Sequence, residues 1–359
     1  MAPSPEQSLP PPPTVSVKTI HMAGLLVDVY GLQELAPSAS RVSCLWLHHP
    51  RTRSKDNMAD IAARCVAAWN ENAAHTESHQ QHRGLIALAF DQRNHGTRLV
   101  HDPANGSWRE GNATHAQDMF GIVAGAVADQ TVLLDAVAGY LFHDDGDNDD
   151  VRNRVVDHHL ALGVSLGGHS VWQLMFADPR VRAGVVVIGC PDYMNLISDR
   201  AKKSRLSTYS AEDGGASFIG SKDFPPALVA ASQKFDPKGI LFGTSDVPKP
   251  NNAADNDRGS TRQILHDRLR DKRFLLCSGG DDKLVPYQCS EPFLQWFIPA
   301  TESLFKEENI SVDDRVYPGI GHTFSAGMVR DAVQFVTEVV ASADSNNSDI
   351  KDEQRASKI

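Results

Sequence analysis

The pentapeptide Gly163-Val164-Ser165-Leu166-Gly167 restricts this 359-residue chain to few folds. A Gly-x-Ser-x-Gly pattern arises by chance in about one chain of this length in ten, so the pattern indicates a function only where the neighbouring sequence supports it. It lies between the apolar, β-rich run 159–164 and the helix-like run 168–177. A sharp strand-to-helix turn forces its serine into a strained backbone conformation, and the residues two positions away must lack side chains to avoid collision. The pattern therefore predicts a serine hydroxyl exposed above a strand end.

Further β-rich runs follow one another along the chain, and helical patterns separate several of them. This alternation predicts an α/β fold, with a mostly parallel central sheet flanked by helices. The predicted strands are 25–30, 42–47, 84–90, 159–164, 183–189, 274–277 and 311–317. The predicted helices are 58–69, 114–142, 168–177, 291–297 and 324–341.

Composition separates one large domain, residues 19–341, from two ends of different character. The Pro-rich residues 1–18 predict a flexible arm, and the polar residues 342–359 predict a disordered tail. Within the domain, the alternation of strand and helix stops over residues 191–261. This segment is rich in Ser, Asp, Gly, Pro and Lys, with short helical stretches around 226–233, so we expect a cap or lid inserted beside the sheet.

Two later loops supply the groups that a serine nucleophile needs. A serine hydroxyl reacts poorly at neutral pH unless a base accepts its proton and an acid orients that base. A Gly-rich loop after strand 274–277 carries Asp281 and Asp282, and a loop after strand 311–317 carries His322. Because the carboxyl ends of parallel strands meet at one edge of a sheet, where ligands bind, these groups are expected close to Ser165.

These motifs, in the chain order Ser, Asp, His, resemble the α/β-hydrolase superfamily, and in particular its serine esterases and its relatives of the dienelactone hydrolase and oligopeptidase types. The resemblance covers about Leu25 to Ala341 and implies an α/β-hydrolase fold with a catalytic triad. Ser165, in a nucleophile elbow, matches the nucleophile, and His322 matches the base. In the family the acid usually lies four residues before the proline of an Asp-x-x-Val-Pro loop, which selects Asp282 over Asp281.

The resemblance also implies an oxyanion hole, in which two backbone N–H groups meet the negative charge of the tetrahedral intermediate. The amide of Leu166, at the start of a helix, matches one donor. The family's common His-Gly pair is altered here, because His49 is followed by Pro50, which has no N–H. Arg51 is then expected to supply the second amide. Its side chain either contacts an anionic or polar substrate or faces solvent.

The segment Asp91-Gln92-Arg93-Asn94-His95-Gly96 resembles a turn that is written Asp-x-Arg-Gly-x-Gly in the family, with Asn94 and His95 altering the middle. In relatives this turn is structural and holds the loops near the active site. We expect the same role here.

Charge and hydropathy exclude several classes of partner. The formal net charge of −10 offers no basic surface for a phosphate backbone, so nucleic acid is not an expected partner. The apolar runs are strand-sized, so no membrane span is expected. His75, His79 and His82 lie in a polar stretch without a set of cysteines or carboxylates around them, which favours a solvated loop over a metal site. Neither a metal nor an organic cofactor is expected.

Several features favour an intracellular location, either peroxisomal or cytoplasmic. The first residues lack the basic and apolar regions of a secretory signal, and the five cysteines have no CxxC spacing, which favours reduced, buried thiols. The chain ends in Ser357-Lys358-Ile359, one residue from the Ser-Lys-Leu peroxisomal address. An import receptor is therefore an expected partner if this match is not due to chance.

The sequence favours a serine hydrolase that cleaves a carboxylic ester or thioester of a small-molecule acyl substrate through an acyl-serine intermediate. The same triad would serve a lactone hydrolase, a peptidase or an acyltransferase. A noncatalytic binding protein with the same fold is the alternative from a different class.

Overall fold

The computed structural model describes residues 9–75, 83–143, 154–249 and 258–356. The predicted loop residues 76–82 and the C-terminal tripeptide 357–359 lie outside these ranges. Within them, one sheet of eight strands has the order β1-β2-β4-β3-β5-β6-β7-β8. The strands are β1 (Val17–Met22), β2 (Leu25–Tyr30), β3 (Arg41–His48), β4 (Arg83–Phe90), β5 (Val155–Val164), β6 (Val181–Val187), β7 (Arg273–Gly279) and β8 (Ser311–Tyr317).

The sheet is parallel from β4 through β8, and only β2 pairs antiparallel with its two neighbours, β1 and β4. All residues of β4, and all of β3 after Arg41, are buried, because helices cover both faces of a parallel sheet. The main helices are α1 (Ala59–His75), α2 (His115–Phe142), α3 (Leu166–Ala177), α4 (Tyr193–Ser204), α5 (Pro226–Phe235), α6 (Pro237–Phe242), α7 (Arg258–Leu269), α8 (Tyr287–Pro299) and α9 (Ala326–Ala356).

Each face of the sheet has its own hydrophobic core. On one face, α1 and α9 pack against the strands through side chains such as Trp69 and Phe335. On the other face, α2, α3, α7 and α8 form a core in which Trp172 stacks on Phe274, with ring centroids 5.3 Å apart. The five cysteines are free and buried.

Two ends of the domain differ from the prediction. The expected arm of residues 1–18 reaches into β1, which starts at Val17 and forms a hairpin with β2 through Ala23 and Gly24, both at positive φ. At the other end, α9 continues to Ala356, beyond the boundary that the sequence places at residue 342. The physical reason is that residues 342–356 contain neither proline nor glycine, so nothing in them ends the helix.

The expected cap, residues 191–261, is more helical than its composition suggested. It contains α4, α5 and α6, and α7 begins within its last residues; the prediction had only part of α5. The apolar side chains of α4 and neighbouring cap residues pack on the first half of α2 and on Leu166. Because tertiary packing of this kind stabilises a helix more than intrinsic propensity does, composition alone missed α4.

Helix α2 has 28 residues and is therefore longer than the strand-sized apolar runs on which the expectation of no membrane span was based. Of the helices that the described ranges contain, it alone is long and apolar enough to cross a membrane, by length and composition. Within its most apolar window, 56% of the residues are buried inside the fold, as in the core helix of a globular protein.

Candidate active site

Ser165 is the single residue between the end of β5 and the start of α3. Its backbone has φ 56° and ψ −110°, a region that residues with a side chain rarely adopt. A Cβ at Gly163 would lie 2.0 Å from the carbonyl oxygen of Gly167, so the turn closes only with glycine at that position. The strained turn that the Gly-x-Ser-x-Gly pattern predicts is therefore present, and Ser165 is partly exposed at its tip.

The structure brings Ser165, His322 and Asp282 into one hydrogen-bonded chain. The Ser165 Oγ lies 2.8 Å from His322 Nε2, and His322 Nδ1 lies 2.7 Å from Asp282 Oδ2. A carboxylate can only accept hydrogen bonds, so the imidazole proton is on Nδ1 and donates to Asp282. Nε2 is then left to accept the hydrogen bond of the serine hydroxyl, which is the arrangement that general-base chemistry requires.

The Asp282 carboxylate is buried and held by the backbone of its own loop. Its Oδ1 accepts hydrogen bonds from the amides of Leu284 at 2.8 Å and Val285 at 2.9 Å. Burial alone would raise the pKa of this carboxyl, but the hydrogen bond from His322 and those from Val285 and Leu284 outweigh burial and lower its pKa. Asp282 is therefore ionised at neutral pH and keeps the His322 proton on Nδ1.

Asp281, the other acid considered for this loop, has an exposed side chain. Its backbone N–H donates to the carbonyl of Ile320 at 2.9 Å, which ties the loop of Asp282 to the loop of His322. The structure thus places Asp282, and not Asp281, against the imidazole.

The two residues expected to supply the oxyanion hole lie on neighbouring segments. Leu166 is the first residue of α3, where an amide has no acceptor within its own helix. A Cβ at Gly167 would lie 2.1 Å from the carbonyl oxygen of His48, so the end of β3 and the loop that follows it run directly against the first turn of α3. Arg51 lies in that loop. Its partly buried side chain donates a hydrogen bond to the carbonyl of Asn105 at 2.7 Å, so it does not simply face solvent.

Gln92 fixes the loop after β3 and so carries part of the structural role that is expected of the segment from Asp91 to Gly96. Its amide N–H donates to His49 Nε2 at 3.0 Å, and its side-chain Nε2 donates to the His49 carbonyl at 2.5 Å. The hydroxyl of Ser170, in α3, donates to Gln92 Oε1 at 3.0 Å. Burial lowers the pKa of His49 to about 4, so its ring is neutral and can accept this hydrogen bond. The sequence pattern of the turn indicated this role for the segment as a whole but did not single out Gln92.

The turn that begins at Asp91 holds loops together, as expected. One carboxylate oxygen of Asp91 accepts from the amide of Lys55 at 2.8 Å, and the other accepts from the amide and hydroxyl of Thr97 at 2.9 and 2.8 Å. Gly96, at φ 50°, has no room for a side chain, since a Cβ there would lie 2.2 Å from Asp91 Oδ1. None of these contacts reaches the triad.

Within the described parts of the chain, no group of three His, Cys, Asp or Glu side chains is arranged to hold a metal ion. The chemistry that the arrangement can perform is that of an activated hydroxyl beside a strained turn, with unpaired helix-terminal amides next to it.

Comparisons with known proteins bear on the fold. No family model matches the sequence, and no curated protein does either. Among solved structures, TT1662 from Thermus thermophilus superposes with a TM-score of 0.55 and 17% sequence identity, over 91% of this chain and 98% of that chain. An S-formylglutathione hydrolase from Agrobacterium tumefaciens superposes with a TM-score of 0.49 and 13% identity, over 90% of this chain and 94% of the other. The similarity to TT1662 over nearly the whole domain, together with the strand order, shows that this chain has the α/β-hydrolase fold.

Proposed function

We propose that this protein hydrolyses a carboxylic ester or thioester of a small molecule through an acyl intermediate on Ser165. The observation that carries the proposal is the hydrogen-bonded chain from the Ser165 hydroxyl through His322 to the buried carboxylate of Asp282. Three side chains that lie far apart in the sequence meet at the strained turn, and the hydrogen bonds have the polarity that nucleophilic catalysis needs.

In the proposed reaction, the Ser165 oxygen attacks the acyl carbon while its proton moves to His322 Nε2. Asp282 accepts the Nδ1–H hydrogen bond throughout and stabilises the imidazolium. The imidazolium then gives its proton to the departing alcohol or thiol, which leaves an acyl group on Ser165. Water, deprotonated by the same imidazole, hydrolyses this acyl group and restores the hydroxyl.

The negative charge that develops on the acyl oxygen is assigned to the backbone amides of Leu166 and Arg51. The amide of Leu166 has the support of the α3 dipole, because it lies at the helix N-terminus. The assignment of Arg51 is supported by the contact between His48 and Gly167, which brings the loop after β3 next to the nucleophile. Two such donors lower the barrier of acyl transfer without any metal.

The test is a screen of p-nitrophenyl esters of increasing chain length, run beside covalent labelling with a fluorophosphonate. We expect turnover and a single adduct on Ser165, and we expect Ser165→Ala to lose both, with a fall in kcat of roughly 10⁴-fold or more. Ser245→Ala removes an exposed hydroxyl from the cap and serves as the matched control. A folded protein that forms no adduct would instead be a binding protein with this fold.

A further inference from the structure

Three basic side chains meet between the cap and the loop of Asp282. Arg200, in α4, places Nη1 3.4 Å from Nε2 of His115, the first residue of α2. Arg51 and His115 contact adjacent backbone carbonyls: Arg51 donates to Asn105 at 2.7 Å, and His115 Nδ1 lies 2.9 Å from the oxygen of Gly106. Arg51 is thus linked to Arg200 through Asn105, Gly106 and His115, and the two guanidinium groups lie near enough for the charge of Arg51 to act on Arg200.

Neither guanidinium has a neutralising partner among the residues that the structure describes. Several other arginines of this acidic chain form ion pairs, as Arg180 does with Asp178 and Asp135. Arg51 and Arg200 form no ion pair, and their hydrogen bonds go to carbonyl oxygens, a ring nitrogen and a thioether sulfur. Glu110 is the acid whose charge acts on Arg51, but its side chain is exposed and accepts a hydrogen bond from the amide of Ser107 instead. Two cations without a counter-charge repel each other, which costs stability unless something else binds between them.

Two buried N–H donors at this place also lack acceptors in the described structure. One is Nε of Arg200, and the other is the indole N–H of Trp108. The Trp108 ring packs edge-on against His115, with ring centroids 5.0 Å apart. A buried donor without an acceptor is unfavourable in the free protein, and a bound anion would satisfy it.

His115 is neutral and adds no positive charge. Burial, followed by the charges of Arg200 and Arg51, lowers its pKa to about 3, so its Nδ1–H donates to Gly106 and its Nε2 accepts from Arg200. Burial and then the charge of Arg51 lower the pKa of Arg200 to about 10, which still leaves the guanidinium protonated at neutral pH. The charge available to a ligand is thus that of Arg51 and Arg200.

This cationic site adjoins the proposed catalytic residues on two sides. The carbonyl of Leu284 accepts from Arg200 at 3.4 Å, while the amide of the same residue holds the carboxylate of Asp282. On the other side, the backbone of Arg51 belongs to the loop assigned to the oxyanion hole. A ligand that contacts both guanidinium groups would therefore lie beside the acyl-transfer site.

We propose that Arg51 and Arg200 bind an anionic group of the substrate, so that the preferred ester or thioester carries a carboxylate close to its reacting carbonyl. Guanidinium groups suit this ligand because their planar N–H donors match a carboxylate in charge and geometry. The inference rests on the proposed hydrolase function and names the substrate class for it.

The test uses two pairs of substrates that differ only in charge. For the acyl side, the p-nitrophenyl monoester of glutaric acid is compared with p-nitrophenyl pentanoate. For the leaving-group side, the butanoyl thioester of 3-mercaptopropionate is compared with that of propanethiol. We expect the wild-type protein to prefer the anionic member of at least one pair by about 10- to 100-fold in kcat/KM. The pair that shows the preference tells which side of the substrate carries the anion.

Arg200→Gln should reduce that preference to within about threefold of unity, and Arg51→Gln, which keeps its backbone amide, gives a second variant should the first not fold. Arg262→Gln is the matched control: it removes the charge of an exposed arginine of α7 that pairs with Glu307, and its substrate preference should equal that of the wild type. Equal rates for both members of both pairs, or a preference that survives in Arg200→Gln and Arg51→Gln, would overturn the inference.

A binding measurement separates this inference from the proposed function. Glutarate should raise the melting temperature of the Ser165→Ala protein and should not raise that of Ser165→Ala/Arg200→Gln. If neutral esters turn over at Ser165 but neither charge preference nor glutarate binding is seen, the hydrolase function stands and the anion site is refuted. If no ester reacts and no fluorophosphonate adduct forms, yet glutarate binds through Arg200, the anion site stands and the hydrolase function is refuted.

Discussion

Gly167, in the first turn of α3, lies directly against the backbone carbonyl of His48, so that a Cβ at residue 167 would come within 2.1 Å of that oxygen. This contact sets the distance between the nucleophile turn and the loop after β3. The geometry of the proposed oxyanion hole therefore depends on the absence of one methyl group.

Gly167→Ala should push the β3 loop away and misplace the amide assigned to Arg51. We expect kcat for a neutral ester to fall by about 10²-fold or more, since a lost oxyanion donor has an effect of this size. We also expect the free energy of unfolding to fall by about 1–3 kcal/mol, because overpacking displaces backbone.

Gly139→Ala is the control for that variant. Gly139 lies within α2, and a Cβ there would have no atom within 4 Å. Alanine should raise the free energy of unfolding by about 0.5–1 kcal/mol and leave kcat unchanged. Similar activity losses in the two variants, measured with p-nitrophenyl butanoate, would argue against the role of the His48 contact.

Asp282→Asn should lower kcat by about 10⁴-fold, because an amide can donate to His322 Nδ1 and stabilise the wrong tautomer of the ring. Asp281→Asn changes the neighbouring, exposed carboxylate and should leave kcat within about threefold of the wild type. Steady-state kinetics on one ester suffice for the comparison. If Asp281→Asn lost as much activity as Asp282→Asn, the role of the triad acid would have to be reassigned to Asp281.

Asp236 lies buried between α5 and α6, and its Oδ1 accepts the amide of Tyr193 at 3.2 Å while Oδ2 has no partner among the described residues. Burial, and then the nearby charge of Asp192, raise the pKa of Asp236 well above its ordinary value. The unfolded chain ionises more readily, so this residue lowers stability progressively as pH rises above the ordinary carboxyl pKa of about 4.

Asp236→Asn should therefore stabilise the protein at pH 8 and have little effect at pH 4, where the carboxyl is protonated in the folded state and about half protonated in the unfolded state. Urea unfolding at the two pH values measures this difference. Asp246→Asn, at an exposed site of the cap, is the control and should show no gain at either pH. A gain for Asp236→Asn that is equal at both pH values would contradict the assigned cause.

The tripeptide Ser357-Lys358-Ile359 resembles a peroxisomal address, which predicts a peroxisomal location. A fluorescent protein carrying residues 342–359 should enter peroxisomes, and the same fusion without the last three residues should not. Diffuse signal from both fusions would show that the match to the peroxisomal address has no function and would leave the cytoplasm as the expected location.

Most of the sheet and the triad could be predicted from the sequence because each depends on local information. The buried strands are short apolar runs, and Ser165, Asp282 and His322 each lie in a Gly-rich loop after such a run. The parallel arrangement of those strands then brings their loops to one edge. The choice of Asp282 over Asp281 came from the family pattern. The structure agrees with that choice, because the side chain of Asp282 is buried.

The remaining features depend on contacts between distant residues, which no local pattern reports. The meeting of Arg200 with His115 requires α4 to pack across the start of α2, and α4 was itself missed because its stability comes from that packing. The role of Gln92 arises from its contacts with His49 and Ser170, which belong to two other elements. Strand β1 was missed because it is stabilised by its pairing with β2, and most of its residues are exposed.

The apolar cluster that joins α4 to the start of α2 is separate from the two cores that hold the sheet. Substitutions in α4 or α5 can therefore remodel the walls around a bound molecule while the scaffold that aligns the reacting groups keeps its stability. This division makes the cap the natural place to exchange segments between relatives or to randomise positions in a laboratory selection for new substrates.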